Sequence, residues 1–483
     1  MLFNSIDFAI FLPIVFVLYW FVANNNLRLQ NLLIVVSSYI FYGYWDWRFL
    51  SLIFISTVVD YSVGYFLGQE RNERKRKRLL WISITTNIGI LGYFKYCNFF
   101  IDNFIAVFSF FSVEINPRSL NIILPVGISF YTFQTLSYTI DVYRKRIKPT
   151  SNFVAFSSFV SFFPQLVAGP IERATHLLPQ FYTKRSFEYH KAADGMRQIL
   201  WGFFKKFVIA DNCAHYANLI FNNYESYSGS TLVLGALFFT FQIYGDFSGY
   251  SDIAIGTSKL FGFSLMENFA FPYFSRDIAE FWRRWHISLS TWFRDYVYIP
   301  LGGSRGGTGM KIRNTLIIFV VSGFWHGAKW NFIVWGLLNA IYFLPLLLTQ
   351  KNRVNMEIVA KGRLFPNLKE FFAISVTFFS IVLSWIFFRA ESVSHAFHYI
   401  EGICSLSFFS IPDFSGRKDS ITLIILLLFF LIVEWNGRTR SFALQRTETA
   451  GFNYIGWLQN YIIAMLVVLF MYNGEQEFIY FQF

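Results

Sequence analysis

The chain has 483 residues, of which 55% are hydrophobic, 22% are aromatic and only 14% are charged. This balance excludes an ordinary soluble domain and indicates a polytopic membrane protein. The formal net charge of +12 does not indicate nucleic-acid binding, because the basic residues stand mostly beside apolar segments and no recognition motif accompanies them.

Apolar segments of about 17 to 25 residues, the length that crosses a bilayer, recur from the first residues to the last. We therefore expect roughly 10 to 12 transmembrane helices in a single membrane domain that covers residues 1–483. The clear segments lie near residues 6–23, 31–45, 50–68, 79–96, 121–140, 231–256, 313–349 (two helices), 368–388, 420–435 and 456–473. Less regular apolar segments lie near 98–113, 152–169 and 196–213.

Basic loops predict the orientation of these segments. The densest charge run, Glu70 to Arg78, is short and adjoins apolar segments, so the positive-inside rule places it in the cytoplasm. Three predicted spans precede it, which places the N-terminus outside. A second basic loop, from Arg144 to Lys148, is also predicted to be cytoplasmic. An even number of crossings must then separate the two loops, so the segment 98–113 is predicted to be re-entrant or interfacial.

The stretch from Phe162 to Pro170, with the sequence FFPQLVAGP, contains two prolines and a glycine and is predicted to break any helix. Irregular backbone at membrane depth is tolerated only where protein or a water-filled cavity satisfies its amide groups. The stretch therefore fits either a bend at the membrane surface or part of a cavity wall.

The segment from Ser275 to Pro300 has apolar or aromatic residues at helical spacing, at positions 278, 281, 282, 285, 289, 292, 293 and 296. Charged residues interrupt this segment too often for a lipid-facing span. They are Arg283, Arg284, Arg294 and Asp295. The pattern predicts an interfacial or partly buried amphipathic helix.

Two histidines, His286 and His326, stand in membrane-type sequence, 326 − 286 = 40 residues apart. A titratable ring at bilayer depth costs free energy unless a neighbouring group or a cavity satisfies it, so each histidine is a candidate functional residue. An imidazole also suits proton transfer near neutral pH. The alternatives are structural: His326 would form a hydrogen bond between two helices, and His286, beside two arginines, would face lipid headgroups.

No metal site is indicated by the sequence. Neither histidine belongs to an HExxH or HxH pattern. The three cysteines, Cys97, Cys213 and Cys404, are far apart and form no CxxC pair, so they indicate neither a thiolate site nor a disulfide frame.

Five stretches of the chain resemble the membrane-bound O-acyltransferase family, and in particular its bacterial alginate O-acetylase branch. They are residues 122–144, 162–171, 244–256, 267–305 and 322–336. The similarity is densest over about residues 120–340, which we expect to be the catalytic core. It also reaches the opening MLFNSIDFAIFLPIVFVLYW and the closing EFIYFQF, and so extends over nearly the whole chain.

The resemblance implies an all-α bundle with re-entrant and interfacial helices around a central tunnel, where a cytoplasmic acyl donor meets an acceptor from outside. It implies that the protein, in a bacterial cytoplasmic (inner) membrane, moves an acetyl group to hydroxyls of an exported polysaccharide such as alginate. Acetyl-CoA would be the donor, as a substrate, and no cofactor is implied. The polysaccharide would receive the group directly or through an extracytoplasmic acetyltransferase partner.

The resemblance also implies roles for individual residues. His326 matches the essential histidine of the family and would act as general base on the incoming hydroxyl, with an acyl-histidine intermediate as the alternative. His286 matches a second polar group of the same site and would polarise the carbonyl or orient the donor. Arg283, Arg284 and Arg294 would meet the donor's phosphates or anchor lipid headgroups. The expected substrate-binding residues are Trp285, Arg294, Trp325 and Asn331.

Other functions remain open at this point. Related branches of the family acylate peptidoglycan or transfer D-alanine to teichoic acids. A non-catalytic transporter of an acylated carrier would also place polar groups in the membrane, although no inverted repeat supports it. A structural subunit of a secretion complex would leave the tryptophan-flanked histidines unexplained.

Overall fold

The computed structural model describes residues 1–24, 26–111, 122–167, 169–446, 454–472, 474 and 478–479. The regular secondary structure of these residues is helical, which confirms the predicted all-α fold. They form two compact units, one of residues 1–193 with 257–266 and the other of residues 194–256 with 267–483. The single domain expected over residues 1–483 stays a prediction.

Three helices of the first unit begin at asparagine side-chain caps. Asn26, Asn72 and Asn152 each accept a backbone N–H of the following first turn through the side-chain oxygen. The helices of this unit are Ile6–Val17, Leu27–Asp46, Leu50–Gln69, Glu73–Leu91, Cys97–Phe110, Ile128–Tyr143, Phe153–Ser161, Phe163–Leu166 and Ala174–Leu177.

A buried polar cluster joins three helices of the first unit. Oδ2 of Asp60 accepts a hydrogen bond from Nδ2 of Asn87 at 2.7 Å, and Oδ1 accepts one from Oγ1 of Thr139 at 2.8 Å. All three side chains are buried. Because an apolar surrounding offers no water to these groups, their hydrogen bonds favour one relative rotation of the helices.

The predicted break between residues 162 and 170 is confirmed. The helix Phe153–Ser161 ends at Phe162, whose ψ of 104° is not helical, and a four-residue helix, Phe163–Leu166, follows. The backbone N–H of Phe163 donates to Oγ of Ser38 at 3.0 Å, so protein satisfies an amide that the break leaves open. Phe162 and Phe163 are fully buried, so the break lies inside the protein, while its depth in the membrane stays a prediction. Ala168 lies outside the described residues.

The second unit contains the two candidate histidines. Its helices, including two that begin or end in the first unit, are Tyr189–Phe203, Asp211–Asn222, Gly229–Leu260, Ile278–Arg284, Ile287–Phe293, Thr308–His326, Trp330–Leu348, Leu368–Arg389, Val393–Ile403, Arg417–Gly437 and Tyr454–Phe470. The two helices predicted within 313–349 are confirmed, with the turn between them directly after His326.

Five helical stretches of the described residues are long and apolar enough to cross a membrane. They are Leu27–Gln69, Gly229–Leu260, Trp330–Leu348, Leu368–Arg389 and Arg417–Gly437. Shorter apolar helices lie at Ile6–Val22 and Gly456–Phe470. These stretches agree with a polytopic membrane protein, while the expected total of roughly 10 to 12 spans stays a prediction. The segment 98–113 falls mostly on the helix Cys97–Phe110, and its re-entrant placement also stays a prediction.

Glycines bring the helix that ends at His326 against the helix that follows. A Cβ added to Gly323 would collide with the carbonyl oxygen of Phe332, and one added to Gly336 would collide with the carbonyl oxygen of Phe319. The backbones of Thr308–His326 and Trp330–Leu348 therefore touch directly, as small residues permit in membrane helix pairs. This close approach fixes the end of the helix on which His326 stands.

Candidate functional site

The segment predicted as one amphipathic helix from Ser275 to Pro300 is broken at His286, which corrects that prediction. Two short helices, Ile278–Arg284 and Ile287–Phe293, flank an extended Trp285 and a left-handed His286 with φ 43° and ψ 55°. Seven of the eight predicted apolar positions are buried, and Trp282 is the exception with intermediate exposure. The helical spacing continues through the break, so the sequence pattern alone does not reveal it.

Tertiary hydrogen bonds explain the break. The backbone N–H of Ile287 donates to the carbonyl oxygen of Asn268 at 2.9 Å, and the N–H of Ala270 donates to the carbonyl oxygen of Arg284 at 3.0 Å. These bonds replace helical ones and hold the chain on both sides of His286. A non-glycine residue at positive φ costs about 1 to 3 kcal/mol and persists only where its surroundings determine it.

The imidazole of His286 is held by a polar side-chain network. Its Nδ1 lies 3.0 Å from Oδ1 of Asn268, which also accepts from Oγ of Ser288 at 2.8 Å. Nδ2 of Asn268 donates to Oγ of Ser251 at 3.0 Å. The other ring nitrogen of His286, Nε2, is buried and has no hydrogen-bond partner within the described residues.

Aromatic rings form the remaining surroundings of His286. Its ring is edge-on to Phe247 with centroids 4.6 Å apart, and Phe269 is stacked at 6.4 Å. Only 1% of His286 is exposed, so a substrate group that reaches Nε2 would meet it in a poorly hydrated space. The expectation that His286 faces lipid headgroups does not fit this burial.

His326 lies at the end of its helix inside a second group of rings. Its ring centroid lies 4.9 Å from Trp325, 5.2 Å from Trp335 and 5.3 Å from Phe388. The residue is buried, with 5% exposed. The rings of Trp335 and Phe388 belong to the next two long helices, Trp330–Leu348 and Leu368–Arg389.

Trp325 joins the two histidines into one site. Its ring centroid lies 6.1 Å from that of His286 and 4.9 Å from that of His326. Trp325 is itself buried. The structure therefore brings two histidines that are 40 residues apart in sequence into contact with the same indole.

The other expected site residues divide between the interior and the surface. Trp285 is buried, stacked on Phe281 at 5.5 Å and 5.0 Å from Trp385. Arg294 has 58% of its side chain exposed and pairs with Asp295 at 2.7 Å, so its described contacts include neither histidine.

Asn331 holds the backbone on both sides of Phe388, a residue that contacts His326. Its Nδ2 donates to the carbonyl oxygens of Phe387 at 3.2 Å and Ala390 at 2.7 Å. These two residues flank Phe388 in sequence, and Phe388 contacts the ring of His326. Asn331 is 2% exposed and so acts on the wall of the site through the backbone of the neighbouring helix.

Two of the arginines beside His286 are engaged by the protein. Arg283 donates to the carbonyl oxygens of Asn352 at 2.7 Å and Asn355 at 2.8 Å. Arg284 pairs with Glu280 at 2.9 Å, and Glu280 also pairs with Arg276 at 3.0 Å. These contacts hold the short helix Ile278–Arg284 in place.

A buried polar cavity beside Asn268 was not predicted from the sequence. It measures about 20 Å³, room for roughly one water molecule. Nζ of Lys205 lies 2.6 Å from Oδ2 of Asp252, and Oδ1 of Asp252 accepts from Nε2 of Gln198 at 2.8 Å. Glu434 closes another side and accepts from Oη of Tyr244 at 2.6 Å. The available signal was Asp252, one of two acids, with Asp246, in the apolar segment 231–256.

No group of three or more histidine, cysteine or acidic side chains that could hold a metal occurs within the described ranges. The site contains two imidazoles, those of His286 and His326. Each can accept a proton, and both are enclosed by rings that exclude most water.

Comparison with known proteins gives one family match. The profile described as MBOAT, membrane-bound O-acyltransferase family, matches residues 39–388. A probable alginate O-acetylase of Azotobacter vinelandii is 39% identical over 92% of this chain and 86% of its own length. A peptidoglycan O-acetyltransferase of Helicobacter pylori is 35% identical over 87% of this chain and 82% of its own length.

A more distant relative transfers a different group. A teichoic acid D-alanyltransferase of Streptococcus thermophilus is 28% identical over 60% of this chain and 75% of its own length. The names of these relatives thus share acyl transfer and differ in the acyl group and the acceptor. The matched region, residues 39–388, contains both histidines and Trp325.

Proposed function

Because the chain belongs to the membrane-bound O-acyltransferase family, we propose that it moves an acetyl group from acetyl-CoA to hydroxyls of an exported polysaccharide such as alginate. The protein is a multi-pass membrane protein, and a bacterial inner membrane is its proposed location. The observation that carries the proposal is that two buried histidines, His286 and His326, both contact the ring of Trp325. Relatives that match most of the chain and are named alginate O-acetylases support the choice of acetyl group and acceptor.

His326 is the proposed general base. Its imidazole takes the proton of the incoming hydroxyl as the oxygen attacks the thioester carbonyl of the donor. The carbon–sulfur bond then breaks, and the leaving thiolate receives the proton, so that the ester and free CoA are released. Such assistance typically contributes about 10² to 10⁴ in rate. In the alternative, the imidazole nitrogen attacks the thioester carbonyl first and the CoA thiolate leaves. The acceptor hydroxyl then attacks the acyl-histidine, which forms the ester and frees the imidazole, while the hydroxyl proton passes to the thiolate.

The aromatic walls support this chemistry. Trp325, Trp335 and Phe388 surround His326 and are buried, so they limit competing attack by water. Trp285 is proposed to line the same enclosure from the short-helix side. The role of Asn331 is to hold the backbone that carries Phe388, and Arg294 remains a candidate only for binding at the exposed edge.

The proposed direction of transfer follows from the basic loops. With Glu70 to Arg78 in the cytoplasm and the N-terminus outside, acetyl-CoA would enter from the side of this charge run. Residues 71–78 of the run are exposed except for Arg76, whose guanidinium donates to the carbonyl oxygen of Tyr143 at 2.7 Å. A cysteine placed at Lys77 should be labelled by an impermeant thiol reagent only in inside-out vesicles. Labelling from the outside would overturn this orientation.

The acceptor is either the polysaccharide itself or an extracytoplasmic acetyltransferase that relays the group. Membrane lipid is the third proposed partner. Purified protein in vesicles, supplied with radiolabelled acetyl-CoA on the side of the basic loops, should deposit label on alginate oligosaccharides added to the other side. Peptidoglycan fragments and a D-alanyl donor serve as competing reactions. Transfer only to peptidoglycan, or only of D-alanine, would replace the proposed acceptor or acyl group.

A further inference from the structure

His286 has a strained, left-handed backbone conformation. This conformation sets the direction of its side chain. It has φ 43°, and backbone bonds from Ile287 to Asn268 and from Ala270 to Arg284 hold the chain in this form. Residues with such strained backbone conformations persist only where the surrounding structure determines them, and they cluster at functional sites. Asn268 contacts this region twice: its backbone carbonyl accepts from Ile287, and its side chain contacts the imidazole of His286.

The amide of Asn268 has a determined orientation. Its side-chain atom nearest to His286 also lies 3.4 Å from the backbone N–H of Ser288 and accepts from Oγ of Ser288 at 2.8 Å. A backbone N–H can only donate, so this atom is the oxygen Oδ1 and not the nitrogen. The opposite atom, Nδ2, then donates to Oγ of Ser251 at 3.0 Å. Both ends of the amide are satisfied in this orientation.

The orientation of the amide decides the proton position on His286. Because Oδ1 of Asn268 accepts, Nδ1 of His286 has to donate across the 3.0 Å contact and therefore carries the hydrogen of the neutral ring. We propose that Asn268 is a positioning residue that holds His286 as the Nδ1–H tautomer and leaves Nε2 as a buried hydrogen-bond acceptor. This inference rests on the proposed function and deepens it by assigning what His286 does.

A neutral ring with its lone pair at Nε2 accepts a hydrogen bond from a hydroxyl and does not donate one to a carbonyl. Of the two roles expected for His286, polarising the thioester carbonyl needs a hydrogen at Nε2, whereas orienting the donor through this nitrogen would need an N–H or O–H group on the donor. The ligand that this nitrogen suits is a hydroxyl of the acceptor. The acceptor hydroxyls would then be held between two imidazoles that share Trp325.

The spectroscopic test uses the full-length protein reconstituted in lipid with ¹⁵N-labelled histidine. The signals of His286 are identified by difference from His286→Ala. Near neutral pH we expect a protonated Nδ1 and an unprotonated Nε2 in the wild type. In Asn268→Leu, which removes the acceptor, the two tautomers should mix. A protonated Nε2 in the wild type, or an unchanged tautomer in Asn268→Leu, would overturn the proposal whatever the protein acylates.

The kinetic test compares two substitutions at the same position. Asn268→Leu should lower acetyl transfer by about 10- to 100-fold, the loss typical when the partner that orients a histidine is removed. Asn268→Asp keeps an oxygen toward Nδ1 and presents the other to Ser251, whose hydroxyl can rotate to donate, so it should restore at least half of the lost activity on a logarithmic scale. Equal activity of the two variants would contradict a role through His286.

A double-mutant comparison excludes a merely structural effect. Added to His286→Ala, Asn268→Leu should cost little further residual activity, because residues that act as one unit are not additive. Asn314→Leu is the matched control, since Asn314 is also a buried asparagine and donates to the carbonyl of Gly303 at 3.0 Å. Its cost should be the same in both backgrounds. A full further loss from Asn268→Leu would overturn the proposal, whereas an inactive wild type with the expected tautomer would instead reject the proposed function.

Discussion

The ring of His286 lies 6.1 Å from the indole of Trp325, the residue that directly precedes His326. Both histidines, separated by 40 residues in sequence, therefore contact the same indole ring. The enclosure depends on a broken helix on one side and on a glycine-mediated helix pair on the other.

Replacing Trp325 with the smaller phenylalanine should lower the rate of acetyl transfer more than it lowers the yield of folded protein. Trp325→Phe keeps an aromatic ring but shortens the wall between the histidines, so substrate alignment suffers and transfer should fall by about 10- to 100-fold. The control is Trp330→Phe, because Trp330 is 57% exposed. Equal rates for the two variants, measured at matched folded yield, would show that the shared indole does not position the reaction.

The close helix pair should tolerate no side chain at its centre. Gly323→Ala places a methyl group against the carbonyl oxygen of Phe332, and the expected destabilisation is about 1 to 3 kcal/mol. Thermal unfolding in detergent, followed by tryptophan fluorescence, measures it. Gly309→Ala lies on the same helix, where an added Cβ meets nothing within 4 Å, and should be neutral or slightly stabilising. A neutral Gly323→Ala would contradict the packing described here.

Removing one member of the Lys205–Asp252 ion pair should lower the stability of the protein more than removing both charges. Both side chains are nearly buried and their charged atoms lie 2.6 Å apart. Lys205→Met alone leaves an unpaired buried carboxylate, which typically costs about 3 to 5 kcal/mol. Adding Asp252→Asn removes that charge and keeps an acceptor for Gln198, so the double variant should be more stable than Lys205→Met. A double variant that is less stable would mean that the pair is not coupled.

The pair of Glu172 and His176 should make stability depend on pH. The hydrogen bond that Nδ1 of His176 donates to the Glu172 carboxylate, at 2.7 Å, raises the pKa of His176. Since the folded pKa lies above the ordinary value of about 6.5, the stabilisation is fully present below about pH 6.5 and is lost as the pH rises through the folded pKa. His176→Gln should therefore lower the Tm more at about pH 6 than at about pH 8.5.

The control for this pH dependence is His190→Gln, because His190 is exposed. Its effect on the Tm should be small and similar at both pH values. A cost of His176→Gln that does not change with pH would show that the Glu172 contact does not favour the charged imidazole.

Much of the fold follows from apolar length and helix-breaking residues. The two helices around His326 were predictable because Gly327 and the polar Lys329 separate two apolar runs, and the interior break at Phe162 was predictable from its prolines. The break at His286 was not, because no glycine or proline marks it and hydrogen bonds to Asn268 and Ala270 override the local helical spacing.

The candidate site was predictable from the sequence only in part. His286, His326 and Trp325 were found because a histidine in apolar sequence is unusual, whereas Asn268 was not, since an asparagine between apolar residues has many structural roles. Its function depends on Ser251 and Ser288, which lie 17 residues before and 20 residues after it. Such a three-part network is visible only in the folded chain.

The proposed function requires that the imidazole of His326 carries acyl transfer. The most direct measurement is transfer from radiolabelled acetyl-CoA by purified protein in vesicles, comparing wild type, His326→Ala and the control His398→Ala, whose side chain is exposed. We predict that His326→Ala loses transfer by at least about 100-fold while it still binds acetyl-CoA, and that His398→Ala matches the wild type. Undiminished transfer by folded His326→Ala would contradict the mechanism and favour a transport or scaffold role.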